Sequence, residues 1–213
     1  MRYPSVVQRS FLSPGAIILA AGRSTRMGRP KLLLPWGKTT ILGHLIDQWQ
    51  GRGANQLAVV CAAEDSAINA ELDRLCFPQE NRVRNPNPNL GMFSSIVSAA
   101  RWSGWKPSLS HWIIVLGDQP HLLPGTLGKL LNFAKEHSKE ICQPVRNGKR
   151  RHPVVLPKTV FLALAESRAA DLKDFLASQP VAGCECDDLG LDLDIDQPED
   201  YQRALALAGL TTR

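Results

Sequence analysis

The chain has 213 residues, 44% of them hydrophobic, and a formal net charge of +5. That length suits one α/β domain with a substantial core. No apolar run approaches a membrane span, and no continuous apolar segment of the kind a secretory signal needs follows Arg2 and Arg9. Met1–Ser13 reads as a poorly ordered extension and residues 14–213 as a single domain. In chain order, Ala16–Leu19 predicts a buried strand, Ile41–Gly51 a helix, Gln56–Cys61 a strand and Ser66–Leu75 a helix. Arg82–Val83 follows as a strand, then a rigid Asn85–Asn89 loop, the helix Met92–Trp102, the strand His111–Leu116 and the helix Gly125–His137. Strands are expected at Glu140–Pro144 and His152–Leu156, with a hairpin turn at Asn147-Gly148 between them. Helices Lys158–Glu166 and Ala169–Ala177, a last short strand Leu191–Ile195 and a helix Pro198–Ala208 complete the chain. Apolar strands alternating with amphipathic helices predict an α/β, Rossmann-like three-layer sandwich: a mostly parallel sheet with helices on both faces. Ligands bind such sheets along the edge where strands end.

The loop after the first strand carries the strongest local signal. Gly22 and Gly28 let backbone approach a ligand, and Arg23, Arg26, Arg29 and Lys31 supply positive charge. A strand running into such a loop reads as a nucleotide phosphate site. The dinucleotide fingerprint GxGxxG is absent. Gly37-Lys38-Thr39 is no P-loop either, because Leu32 stands where its first glycine belongs. It reads instead as a turn between Leu32–Trp36 and the helix near Thr40.

Five cysteines without a C-x-x-C pattern suggest free thiols and a reducing cytoplasm. Cys61 and Cys76 read as buried thiols, and Cys184 and Cys186 lack a zinc-site spacing. The basic residues gather at Arg23–Lys38 and Arg146–Arg151, with no tyrosine or phenylalanine interleaved, so small phosphorylated ligands explain them better than nucleic acid does. His44, His111, His121 and His137 read as structural, and the tryptophans at 36, 49, 102, 105 and 112 as packing residues.

Four further segments carry candidate chemistry. Gly117-Asp118 ends a buried strand, where Asp118 is a metal ligand or a turn residue. Asp194 and Asp196 share a face if their segment is a strand, and would then need a cation or donor between them; Asp196 would also cap the helix at Pro198. Gly91, Ser94 and Ser95 open a helix and either meet a base edge or simply cap the helix. Gln143–Pro157 holds a basic turn, with Arg146, Lys149, Arg150 and Arg151 before His152-Pro153, and is either a solvated face or an anion site.

These segments together resemble the MobA-like NTP transferase family, nucleotidyltransferases that join a nucleoside triphosphate to a phosphorylated acceptor. Leu19-Ala20-Ala21-Gly22, Ser24, Arg26-Met27-Gly28 and Lys31 fit its LAAGxSxRMGxxK loop, and Gly117-Asp118-Gln119-Pro120 fits its GDxP. Asp194–Asp200 is similar to its closing DIDTPED, with Gln197 in place of Thr. His152-Pro153 aligns with a Gly-His-Pro, but Arg151 replaces the glycine. The resemblance implies a nucleotide-diphospho-sugar transferase type of fold. It implies nucleotide binding by Leu19, Ala20, Ala21, Gly22, Arg23, Ser24, Gly91, Ser94 and Ser95. It implies catalytic roles for Arg26, Lys31 and Asp118, and Mg²⁺ on Asp118 with Asp194 or Asp196, Asp192 being a weaker third option. Acceptor contacts fall on Arg151, His152 and Pro153. Leu-Ala-Ala-Gly resembles the cytidylyl branch, which transfers CMP from CTP to molybdopterin bearing molybdenum, with a molybdoenzyme or its maturation factor as recipient. Neither nucleic acid nor membrane is an expected partner. The alternatives are guanylyl transfer, transfer to a sugar phosphate or other small phosphate, and a non-catalytic molybdopterin carrier.

Overall fold

The computed structural model describes residues 12–22 and 27–211. Strand β1 spans Pro14–Leu19; a small hairpin pairs β2 (Pro35–Trp36) with β3 (Thr39–Thr40) and leads into α1 (Ile41–Gln50). Then come β4 (Gln56–Ala62), α2 (Ser66–Arg74), β5 (Arg82–Asn85), α3 (Met92–Arg101), β6 (His111–Leu116) and α4 (Pro124–Glu136). The last part holds β7 (Ile141–Arg146), β8 (Lys149–Arg150), β9 (Val154–Pro157), α5 (Lys158–Ala163), α6 (Leu172–Leu176), β10 (Val181–Glu185) and α7 (Pro198–Leu207). The eight-stranded sheet runs β10-β7-β9-β6-β1-β4-β5, with β8 paired to β7. Strands β1, β4, β5 and β6 are mutually parallel, β10 is parallel to β7, and β9 is antiparallel to both β6 and β7. This is the mostly parallel sheet that the apolar runs predict.

Alternation along these strands builds two cores. Ile18, Val59 and Ile113 face α1, α2, α4 and α7, while Ile17, Val60 and Ile114 face α3, α5 and α6. Trp112 stacks on Phe161 at 4.3 Å, and Trp105 meets both rings edge-on, so these tryptophans pack as expected. Among the described residues no helix is long and apolar enough to cross a membrane.

Several elements differ from the sequence reading. Leu191–Ile195 is not a strand. Asp188 accepts hydrogen bonds from Gly190 N and Leu123 N, both at 2.9 Å, and closes a 3₁₀ turn over Leu189–Asp192. Beyond it a backbone bond from Ile195 N to Asp118 O, at 3.1 Å, ties the segment to the loop after β6. The outer strand is β10, whose Val-Ala-Gly-Cys-Glu lacks bulk; a Cβ on Gly183 would stand 2.7 Å from Val145. Helix α6 begins at Leu172 because Asp171 caps it, three residues later than expected from Ala169. Asp196 is not the cap of α7: Gln197 takes that place, and Asp200 Oδ2 accepts from its backbone N–H at 3.0 Å. Cys76 is exposed, not buried, because φ of +52° at the exit of α2 turns it outward and sends Phe77 into the core. Leu12 packs on the core and Ser13 N donates to Ser110 Oγ at 3.0 Å; the rest of the expected extension, residues 1–11, lies outside the described residues.

Candidate active site

The connection from β1 leads to β4 on one side, whereas β6 lies on the other. Loops leaving β1 and β6 therefore diverge, which opens a crevice at their carboxyl ends. A cavity of about 450 Å³ lies there, lined by Leu19, Gly22, Lys31, Asn89, Ser95 and Asp118, among others.

Each wall has a local cause. Ala20 N donates to Val60 O at 2.8 Å, which extends the β1–β4 ladder and buries the Ala20 side chain in the core. Ala20 therefore supports the loop from below, while Leu19, Ala21 and Gly22 line the cavity. Lys31 opens a 3₁₀ turn pinned by buried Leu32 and Leu34. At the end of β6, Gly117 has no room for a side chain: a Cβ would come 2.8 Å from Leu32 and 3.0 Å from Leu19 O. That close approach brings Asp118 against Lys31.

Lys31 Nζ donates to Asp118 Oδ2 at 2.9 Å and to Ile195 O at 3.2 Å, with Asp196 Oδ1 at 3.8 Å. One lysine thus ties together three segments far apart in sequence. The second Asp118 oxygen, Oδ1, is buried and has no hydrogen-bond partner among the described residues. A spare buried carboxylate oxygen calls for a cation or donor. Asp194 accepts from buried Gln119 Nε2 at 2.8 Å. Partial desolvation in the cleft, and then the neighbouring Asp118 and Asp196 charges, raise its carboxyl above the ordinary range. Among the described residues no three His, Cys, Asp or Glu side chains form a preformed metal centre. The open lone pairs of Asp118 still suit a divalent cation that takes most of its ligands from phosphates and water.

The far wall is the start of α3. Gly91, at φ +84°, makes a turn that a side chain would strain. Buried Asn85 donates to Ser94 Oγ at 2.8 Å and Ser95 Oγ at 2.9 Å, and accepts from Asn87 N at 2.8 Å. Consecutive helical residues point about 100° apart, so only one of these serines faces the cavity. It is Ser95. Ser94 lies 2.7 Å from Gly91 O and lines a neighbouring groove instead.

The residues expected to contact an acceptor are differently engaged. His152 is strongly desolvated, which drives its pKa down to about 4 against the opposing pull of Asp118. It is a neutral imidazole at neutral pH. Pro153 is buried. Arg151 donates to Asp192 Oδ1 through Nε, at 2.9 Å, and Arg146 donates to Oδ2 of the same carboxylate. Both Asp192 oxygens thus face arginines in this structure. The catalytic expectation at Arg26 and the nucleotide expectations at Arg23 and Ser24 lie outside the described residues. Sequence reading missed Gln119 and the partnership of Asp192, since neither has a periodic or motif signal.

The cleft at the strand ends thus holds a lysine–aspartate pair and a spare carboxylate oxygen. Residues 16–182 match the MobA-like NTP transferase domain, and the chain belongs to that family. It is 26% identical to the molybdenum cofactor cytidylyltransferase of Escherichia coli over 87% of this chain and 92% of that protein. It is 31% identical to the molybdenum cofactor guanylyltransferase of Rhizobium johnstonii, over 76% of this chain and 68% of that one. The nicotine blue oxidoreductase of Paenarthrobacter nicotinovorans is 28% identical, over 89% and 95%. Among solved structures, the manganese complex of Rv0371C from Mycobacterium tuberculosis is 28% identical with a TM-score of 0.65, over 91% of this chain and 98% of that one.

Proposed function

We propose that this nucleotidyltransferase moves CMP from CTP to molybdopterin bearing molybdenum, with Mg²⁺ as the divalent cation. The carrying observation is the Lys31–Asp118 pair at the mouth of the cleft, with Asp118 Oδ1 left open. The similarity to the cytidylyltransferase over 92% of its length supports the base and acceptor, and the mycobacterial manganese complex supports a divalent cation. A phosphate oxygen of the acceptor attacks the α-phosphorus of the triphosphate. The new P–O bond forms as the bond from that phosphorus to the bridging oxygen breaks, and pyrophosphate leaves with the electron pair. A bound Mg²⁺ would neutralise charge on the triphosphate. Asp118, with Asp194 or Asp196, would hold it.

The chain's own residues do the remaining work. Lys31 balances the growing negative charge of the leaving pyrophosphate, and Arg26 shares that role. Ser95 and the Leu19–Gly22 backbone hold the nucleoside. Neutral His152 and Pro153 shape the acceptor side without adding charge. Alignment and charge neutralisation suffice, and no protein nucleophile is required. The product passes to a molybdoenzyme or its maturation factor in a reducing cytoplasm, a setting supported by five free thiols.

Thermal stabilisation by CTP and GTP, each with and without Mg²⁺, tests this reading, followed by pyrophosphate release with molybdopterin. A Mg²⁺-dependent shift with CTP is expected. A larger shift with GTP would favour the guanylyl alternative, which the Rhizobium relative supports. Reduction of a dye without pyrophosphate release would replace both with the redox activity named for the Paenarthrobacter relative.

A further inference from the structure

The basic hairpin is more than a charged surface. Strand β7 is aligned with β1 and β6, so its end and the β7–β8 turn stand at the same sheet edge as the cleft. Arg146 at the end of β7 and Arg151 just after β8 both fold onto Asp192, which ends the 3₁₀ turn Leu189–Asp192. Both Asp192 oxygens are taken, one by each guanidinium. The arginines are not saturated in return. Arg146 Nε is buried with no hydrogen-bond partner among the described residues, and Asp187 Oδ1, on a fully exposed side chain, is 3.9 Å away. Lys149 and Arg150 add two exposed positive charges in the same hairpin. Backbone anchoring of the turn comes from buried Gly190 and Leu191, not from Asp192, whose side chain is 30% exposed. The carboxylate can therefore swing out while the turn stays.

We propose that Arg146 and Arg151 form a phosphate clamp for the acceptor, in which Asp192 is an internal stand-in that an incoming phosphate monoester displaces. Two planar forks held side by side match the three terminal oxygens of a dianionic phosphate better than they match one carboxylate. Loss of Asp192 from the clamp removes a competing negative charge and opens the Arg146 donors. The clamp would then hold the attacking phosphate of the transfer reaction, so this inference rests on the proposed function. It also explains the departure at Arg151: the bulky residue supplies the second fork.

The test is binding of inorganic phosphate to the full chain, followed by calorimetry, with the Mg²⁺–CTP thermal shift as a check of folding. Asp192→Asn is expected to bind phosphate several-fold more tightly than wild type. Arg146→Gln and Arg151→Gln are each expected to bind it at least tenfold more weakly. Should either glutamine variant fold poorly, the lysine variant keeps the charge and loses the fork, and a weakening of several-fold is expected there. In the transfer assay the acceptor KM moves in the same directions while the CTP KM stays. Phosphate binding unchanged in the arginine variants would put the phosphate elsewhere and overturn the clamp. Weaker binding in Asp192→Asn would make Asp192 a scaffold and overturn the stand-in. If wild type ignores CTP but the phosphate pattern holds, the nucleotidyl reading fails and the clamp stands.

Discussion

Asp118 and Asp192 stand at the same edge of the sheet, and each faces a cation. Asp118 meets a lysine, a point charge on a flexible stem, which takes one carboxylate oxygen and leaves the other without a hydrogen-bond partner among the described residues. Asp192 meets two guanidiniums, whose forks occupy both oxygens. They hold its carboxyl below the usual range, Arg151 contributing most. The burial differs as well, at 21% exposure for the Asp118 side chain and 30% for Asp192. A partly buried carboxylate with a free oxygen is suited to recruit a metal with its phosphates. A saturated, more exposed one is suited to be exchanged for another anion. The same pairing of charges thus suits the two proposed roles because lysine and arginine differ in geometry.

The largest expected effects break the first pair. Asp118→Asn should lower kcat/KM for transfer about a hundredfold to a thousandfold, and Lys31→Ala should cost about 3 kcal/mol of transition-state stabilisation. Pyrophosphate release checks both, and full activity in Asp118→Asn would remove the metal assignment. Asp192→Asn, by contrast, should act on acceptor KM alone.

Next is a change that disturbs the pair without touching its charges. Gly117→Ala places a methyl 2.8 Å from Leu32 and 3.0 Å from Leu19 O. Overpacking of that kind costs about 1–3 kcal/mol. A lowered melting temperature and a weaker Mg²⁺–CTP shift are expected. An unchanged CTP response would show that the Leu32–Gly117 approach does not position Lys31.

A smaller effect is expected on the far wall. Asn85→Ala removes the donor to Ser94 and Ser95 and the acceptor for Asn87 N. Leaving buried polar groups unpaired costs about 1–3 kcal/mol of stability. CTP KM should rise while phosphate binding at the hairpin stays at the wild-type value.

The smallest expected effect belongs to the scaffold that both regions share. Buried His111 is held below its ordinary pKa by desolvation, against the bond it makes to Ser138 O at 3.0 Å. The unfolded chain therefore takes up a proton near about pH 6.5 that the native ring resists. The stability it contributes is present above that pH and is lost as pH falls toward the depressed native value. Melting temperature should drop between about pH 7.5 and about pH 5.5, and His111→Gln should flatten that drop. An identical slope in the variant would assign the loss to other groups.

Particular residues show how far the sequence could be read. The apolar runs at β1, β4 and β6 have their predicted bounds within a few residues, since strands buried on both faces need continuous apolar side chains. The Asn147-Gly148 hairpin was legible because both residues adopt positive φ. Strand β10 was not, for its small residues are chosen by the neighbouring Val145 and not by a period of their own. Leu191–Ile195 alternates like a strand, yet Asp188 bends its start into a turn and it pairs with no strand among the described residues. The direction of Ser94 was equally hidden, because one step along a helix decides which groove a hydroxyl enters.

By itself, the sequence determined the α/β alternation, the basic glycine loop, and the placement of Asp118 at a strand end. Those features depend on near neighbours: apolar period, turn chemistry and motif spacing. Tertiary structure alone decided that Lys31 joins Asp118 to Ile195, 164 positions away, and that Arg151 meets Asp192 across 41. Charge pairing depends on distance in space, and in this chain that distance is set by the order in which parallel strands cross the sheet.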